Sequence, residues 1–216
     1  MLHSLRSPSD ADTAAPFVRA HLARQGLLGY PTETVYGLGC AADTKSLDQL
    51  AGLKGRPAGK PFLLLVSSRA MAERSGLAFS RAADVLAEAF WPGPLTLVLR
   101  GGEGKLPDRL RGPEGGIAVR YTSHAAVARL IELLDQPLTS TSANRPGQPP
   151  AAGAEQLVML FQEAHDSGVL MVLDGGPLGN VPPSTIVDCT SRQPALVREG
   201  ALPREELRRK AGRFAP

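Results

Sequence analysis

Four short segments hold most of the side chains that could do chemistry in this 216-residue chain. The first is Tyr30-Pro31-Thr32-Glu33-Thr34-Val35-Tyr36-Gly37-Leu38-Gly39. Two threonines, a glutamate and a tyrosine follow directly on an apolar stretch. Pro, Thr and Gly all punctuate, so the segment can be a strand end with a turn. It can equally be a ligand-facing loop beyond a strand terminus, where open α/β sheets bind ligands. Threonine hydroxyls both donate and accept, which suits a zwitterionic substrate. The second segment is Lys54-Gly55-Arg56-Pro57-Ala58-Gly59-Lys60-Pro61, which carries two of the chain's five lysines together with Arg56. It reads as a solvated basic loop or as an anion site, with phosphate the commonest anion. GxxxxGK[ST] and GxGxxG are both absent, so any nucleotide is held by another device.

The third segment, Leu138-Thr139-Ser140-Thr141-Ser142-Ala143-Asn144-Arg145-Pro146-Gly147, has four consecutive hydroxyl residues before Asn and Arg. Along a strand, Ser140, Ser142 and Asn144 share one face and would line a polar cavity wall. GxSxG is absent, and nothing supports a nucleophilic serine. In the fourth, Ser184 opens the stretch Pro183-Ser184-Thr185-Ile186-Val187-Asp188, and Arg198 closes Val197-Arg198-Glu199-Gly200. Either the pair caps an exposed hairpin or both side chains meet at one mouth. His3, His21, His124 and His165 are scattered without HxH or HxxxH spacing, which argues against a histidine metal site.

These segments need a scaffold. Helices are expected over 14–24 (capped by Asp12 or Thr13), 46–54, 81–90, 123–134 (capped by Ser123), 155–165 and 205–213. Strands are expected over 27–30, 62–66, 95–99, 117–121, 137–141, 169–173, 185–188 and 195–198. The interleaving predicts an α/β fold. Some strand pairs are too close for a crossover helix, so the sheet should mix parallel and antiparallel pairs. No linker or repeat divides the chain. A single domain is expected, with a core over about 14–202 and a basic C-terminal tail over 203–216.

Composition narrows the function classes. Hydrophobic residues make up 43% and charged residues 21%, ordinary for a globular protein. Two cysteines without a CxxC pair exclude a disulfide scaffold. The longest apolar run, Phe62–Val66, is too short to cross a bilayer. The opening MLHSLRSPSDAD lacks an apolar h-region, so a cytoplasmic, reduced protein is expected. Net charge is +3 and the pI about 9.1. The whole excess falls in Gly200–Pro216, and the remainder balances 19 basic against 19 acidic residues.

Taken together and in order, PTETVYGLG, KGRPxxKP, STSAN and PSTIVD…VREG resemble the YrdC-like family of threonylcarbamoyl-AMP synthases, in its short form. FWPGPLT at 90–96 and GIAVRYTSH at 116–124 also fit, and the match covers roughly Gly26–Gly200. The resemblance implies a twisted mixed parallel/antiparallel sheet with flanking helices around a basic concave cavity. It implies that L-threonine, bicarbonate and ATP are joined into threonylcarbamoyl-AMP and pyrophosphate. Partner proteins would then transfer the group to adenosine 37 of tRNAs reading codons that begin with A. Residue by residue, Lys54, Arg56, Ser142 and Asn144 match the family's Lys-Arg-Ser-Asn signature as catalytic residues. Arg56, Lys60, Ser142, Pro150 and Arg198 would bind ATP. Thr32, Thr34, Arg120, Ser140 and Ser184 would hold threonine, with Arg120 on its carboxylate. Mg2+ would come with ATP, without an assigned protein ligand. Leu65 departs from the pattern, standing where some members carry a histidine near threonine.

Other readings are set against this one. An accessory protein of the same fold that binds tRNA or double-stranded RNA, linked to ribosome maturation, would spread its basic side chains along a stripe. The enzyme would converge them on a small cavity. Only ten aromatic residues are present, so base-stacking platforms are scarce. The intact signature separates the chain from YciO-type paralogues. The lack of zinc-finger motifs separates it from the carbamoyltransferase domain of hydrogenase maturation.

Overall fold

The computed structural model describes residues 2–56, 60–179, 181–212 and 214–215. The chain runs β1 (Leu2–Ser4), α1 (Pro8–Ala23), β2 (Leu27–Tyr30), β3 (Gly37–Gly39), α2 (Thr44–Lys54), β4 (Leu63–Val66) and α3 (Arg69–Arg74). Then come β5 (Leu77–Ala78), α4 (Arg81–Phe90), β6 (Leu95–Gly101), a 3-10 turn at Asp108–Leu110, β7 (Ile117–Tyr121), α5 (Ala125–Leu134) and β8 (Leu138–Ser142). The last elements are α6 (Ala154–Leu160), α7 (Gln162–Asp166), β9 (Leu170–Asp174), β10 (Thr185–Asp188), β11 (Ala195–Arg198) and α8 (Arg204–Ala211).

The strands form one sheet in the order β1-β9-β2-β3-β8-β4-β7-β6-β10-β11, with β5 paired beside β6. β1/β9, β2/β9, β4/β7 and β6/β10 are parallel; β2/β3, β3/β8, β4/β8, β6/β7, β5/β6 and β10/β11 are antiparallel. The fold is therefore α/β with a mixed sheet. Helix α1 packs on α5, and α4 on α8. One apolar core extends from Leu5 to Phe214.

Local chemistry explains the element ends that differ from expectation. Helix α1 starts earlier, because Ser7 and Asp10 form a capping box: Ser7 Oγ accepts from Asp10 N at 3.3 Å, and Asp10 Oδ2 accepts from Ser7 N at 3.1 Å. Helix α5 is capped by His124, whose Nδ1 accepts from Val127 N, and not by Ser123. The helix expected over 155–165 breaks at Phe161, which leaves helical geometry at φ −129° and is buried under the Arg145 guanidinium. Strands β1 and β3 escape sequence reading because three residues are too few to show alternation. In the tail, Leu207 and Phe214 belong to the core, so α8 is docked.

Candidate active site

Strands β3, β8, β4, β7, β6 and β10 are neighbours in the middle of the sheet, and alternate residues along them, such as Ala118 and Arg120 on β7 or Ser140 and Ser142 on β8, line a cavity of about 900 Å³ on one face. Thr32, Thr34, Arg56, Lys60, Arg120, Ser140, Ser142, Asn144, Pro150, Ser184 and Arg198 all line it. Residues from four distant segments thus converge because the sheet order interleaves them. Lys54, from the same sequence reading, does not line the cavity. Pro57, Ala58 and Gly59 of the second segment lie outside the described residues.

At one end sits Arg120, the next-to-last residue of β7 and only 3% exposed. Its Nη1 donates to Thr34 Oγ1 at 3.2 Å, and its Nε lies 3.8 Å from Glu33 Oε1. Thr32 Oγ1 pairs with Thr34 Oγ1 at 3.0 Å and accepts from Val35 N, which folds the segment after β2 into a tight turn. Ser184 Oγ pairs with Thr96 Oγ1 at 2.9 Å. Arg198 Nη2 donates to Ser184 O at 2.8 Å, placing that guanidinium at the rim beside Ser184. Burial lowers the Arg120 pKa, opposed by the Glu33 charge; burial and then the Arg120 charge lower that of Arg198. This end brings two guanidinium groups together with threonine and serine hydroxyls, a set of donors that can bind an anion. A Cβ at Gly37 on β3 would come 3.0 Å from Ser140 Oγ, so a side chain there would crowd that hydroxyl.

At the other end Arg56 is fixed by its surroundings. Nε donates to Lys60 O at 3.0 Å, Nη1 to Thr141 Oγ1 at 2.9 Å and Nη2 to Pro61 O at 2.7 Å. Its guanidinium lies 4.7 Å from the Phe62 ring centre. Three of five N–H groups are used, which leaves two for a ligand. Ser142 Oγ donates to Asn144 Oδ1 at 2.7 Å, and Asn144 Nδ2 to Gln148 O at 2.6 Å.

Lys54 corrects the anion-site reading of the second segment. Helix α2 ends at Gly55, which adopts φ +59°, a left-handed conformation that glycine tolerates. Lys54, 6% exposed, reaches inward from this last turn. Its Nζ donates to Ser142 O at 2.6 Å, to Asn144 O at 2.5 Å and to Asn144 Oδ1. An ammonium has three donors, and all three are taken. Lys54 therefore clamps the end of β8, and the second-segment cations that line the cavity are Arg56 and Lys60.

Several other residues are settled by their surroundings. Leu65 is fully buried, pairs with Arg120 and Leu138 across the sheet, and is absent from the cavity wall. His21 is packed, its Nε2 bonded to Leu27 O at 2.9 Å. Cys40 and Cys189 are buried free thiols, both pushed up to about 12 by burial. Glu33 was passed over as a functional residue in the sequence. It stands in the first segment, but its contacts are with Thr122 and Arg120, far away along the chain, and no local pattern gives its role.

The cationic side chains Arg56, Lys60, Arg120 and Arg198 converge on one cavity and do not form a stripe. Fold and site define a mixed α/β protein with a basic, hydroxyl-lined small-molecule cavity. The chain belongs to the Sua5/YciO/YrdC family, whose model, described as telomere recombination, matches residues 20–200. It is 36% identical over 197 residues to a threonylcarbamoyl-AMP synthase of Pyrococcus abyssi, covering 90% of this chain and 56% of that one. It is 40% identical over 185 residues to one of Chromohalobacter salexigens, covering 84% and 95%. The crystal structure of P. abyssi Sua5 complexed with L-threonine superposes with a TM-score of 0.86 at 33% identity, covering 99% of this chain and 62% of that one. The chain thus spans little more than half the length of the P. abyssi relative.

Proposed function

We propose that this chain is a threonylcarbamoyl-AMP synthase, a nucleotidyltransferase acting on L-threonine, bicarbonate and ATP. The observation that carries this reading is the lining of one cavity by two networks. The buried arginine Arg120 stands among hydroxyls in one, and Arg56 and Lys60 stand beside the β8 end in the other. The likeness to synthases, and to a Sua5 complexed with L-threonine, supports the same assignment.

In this reading the threonine carboxylate meets Arg120, with Thr32, Thr34, Ser140 and Ser184 around its polar groups. Bicarbonate takes up a proton and loses water to give CO2, and the free amine adds to that CO2 and loses a proton, forming a carbamate. A carbamate oxygen then attacks the α-phosphorus as the bond to pyrophosphate breaks. Arg56, Lys60 and Ser142 neutralise and orient the phosphates. Asn144 fixes the Ser142 hydroxyl, Arg198 flanks the nucleotide at the rim, and Pro150 borders the base. No protein nucleophile takes part. The rate arises from positioning and charge neutralisation, as in other phosphoryl-group chemistry. The described residues contain no cluster of three acidic, histidine or cysteine side chains fit to hold a metal. Magnesium would enter with the nucleotide, and no step is routed through it. The product would pass in the cytoplasm to proteins that modify tRNA.

Labelled bicarbonate tests the assignment. It should enter an AMP-containing product only when threonine and ATP are both present. Label incorporation without threonine, or none at all with an active ATP pool, would refute it.

A further inference from the structure

Glu33 precedes Thr34 in the chain but, unlike Thr34, does not line the cavity. Its side chain is 15% exposed. Oε2 accepts a hydrogen bond of 2.5 Å from Thr122 Oγ1, and that hydroxyl accepts from His124 N at 3.2 Å. The Glu33 carboxylate is thereby anchored to the start of α5. Its other oxygen, Oε1, has no hydrogen-bond partner. The nearest cation is the Nε of Arg120 at 3.8 Å, and that Nε has no hydrogen-bond partner either. Two buried, unpartnered atoms of opposite charge therefore face each other just beyond hydrogen-bond reach.

A guanidinium can receive a carboxylate side-on, through Nε and one Nη, or end-on, through both Nη groups. Glu33 stands at the Nε side of Arg120, which sets the end-on edge, whose Nη1 is shared with Thr34, as the approach for a ligand in the cavity. Thr34, the next residue, holds Nη1 by its hydroxyl at 3.2 Å. Adjacent residues of one turn thus grip the guanidinium from two sides.

We infer that Glu33 is a positioning residue that blocks the side-on approach to Arg120 and aims its end-on edge at the carboxylate of the amino-acid substrate. The inference rests on the threonine reading above. A buried arginine with no charge partner would be costly to keep ionised. Glu33 supplies that partner without occupying the substrate's place.

The test is steady-state pyrophosphate release by the whole chain carrying Glu33→Gln, Glu33→Asp or Thr122→Val, with thermal melting in parallel. Glutamine keeps an oxygen for Thr122 and loses the charge. Glu33→Gln should raise the KM for threonine at least about tenfold while moving that for ATP less than about twofold. Glu33→Asp should recover part of the loss. L-threoninamide, which lacks the carboxylate, should inhibit wild type and Glu33→Gln about equally. Equal rises in both KM values, or equal weakening of threonine and its amide, would overturn the inference. If Glu33→Gln fails to fold, Thr122→Val, which frees the carboxylate and also removes the acceptor of His124 N, should show the same selective rise; an unchanged threonine KM there overturns it. A threonine-dependent wild type with an unmoved Glu33→Gln sinks this inference alone. A wild type indifferent to threonine sinks the functional reading with it.

Discussion

Replacing Lys54 with methionine separates a clamp from a phosphate ligand. The variant keeps the length of the buried stem and removes the ammonium. Three oxygens then lose the ammonium: Asn144 O, Ser142 O, which keeps Asn144 N, and Asn144 Oδ1, which keeps the Ser142 hydroxyl. A hydrogen bond to a charged group contributes about 1.5–3 kcal/mol net. These three share one buried ammonium whose own desolvation opposes them, so the total falls well below three times that figure. A loss of about 2–4 kcal/mol of stability follows. For a domain of this size, each kcal/mol lowers Tm by roughly 2–4 °C. Differential scanning calorimetry should therefore find Lys54→Met melting about 10 °C below wild type. Turnover should also fall, because Asn144 Oδ1 holds the Ser142 hydroxyl at 2.7 Å and both lose their anchor. We expect kcat/KM for ATP to drop about 10- to 100-fold, the scale of a displacement near 1 Å at reacting groups. If Lys54→Met melts with wild type yet is inactive, the ammonium belongs to the substrate and the clamp is wrong.

Three further outcomes follow from the same geometry. Burial, followed by the charges of Arg56 and Arg145, brings the Lys54 ammonium from an ordinary 10.5 to about 8. Above pH 8 the folded group loses a proton that the unfolded chain keeps until about 10.5, so its contribution to stability rises with pH across that window. A neutral amine has two donors for three oxygens, so turnover should fall over the same window, and the pH–rate profile of Lys54→Met should lack that alkaline limb. Arg120→Lys keeps a positive charge but loses the planar fork, and should raise the KM for threonine about 10- to 100-fold with little change in that for ATP. Leu207 is fully buried. Leu207→Ala should therefore destabilise by about 2–5 kcal/mol in thermal melts, whereas a freely trailing tail would leave Tm unchanged.

The site was legible where residue type alone carries information. Thr32, Thr34, Ser140, Ser142 and Ser184 are polar residues on strands or beside them, where apolar side chains are expected, and the cavity explains them. The main strands were legible because β4 and β9 are short apolar runs. What escaped depends on direction and on distant partners. Lys54 clusters with Arg56 in sequence, but the last turn of α2 aims it at the β8 backbone. The role of Glu33 has no local mark, because its two partners, Arg120 and Thr122, come from β7 and the loop after it. The basic helix of the tail was legible, while its docking was not: one apolar side chain, Leu207, holds α8 to the core.

Pyrophosphate release measured with each substrate withheld in turn tests the central claim most directly. The account predicts release only when L-threonine, bicarbonate and ATP are all present, and its loss when Arg56 is replaced by alanine in a protein that still folds. Equal release without threonine, or undiminished release by Arg56→Ala, would contradict it.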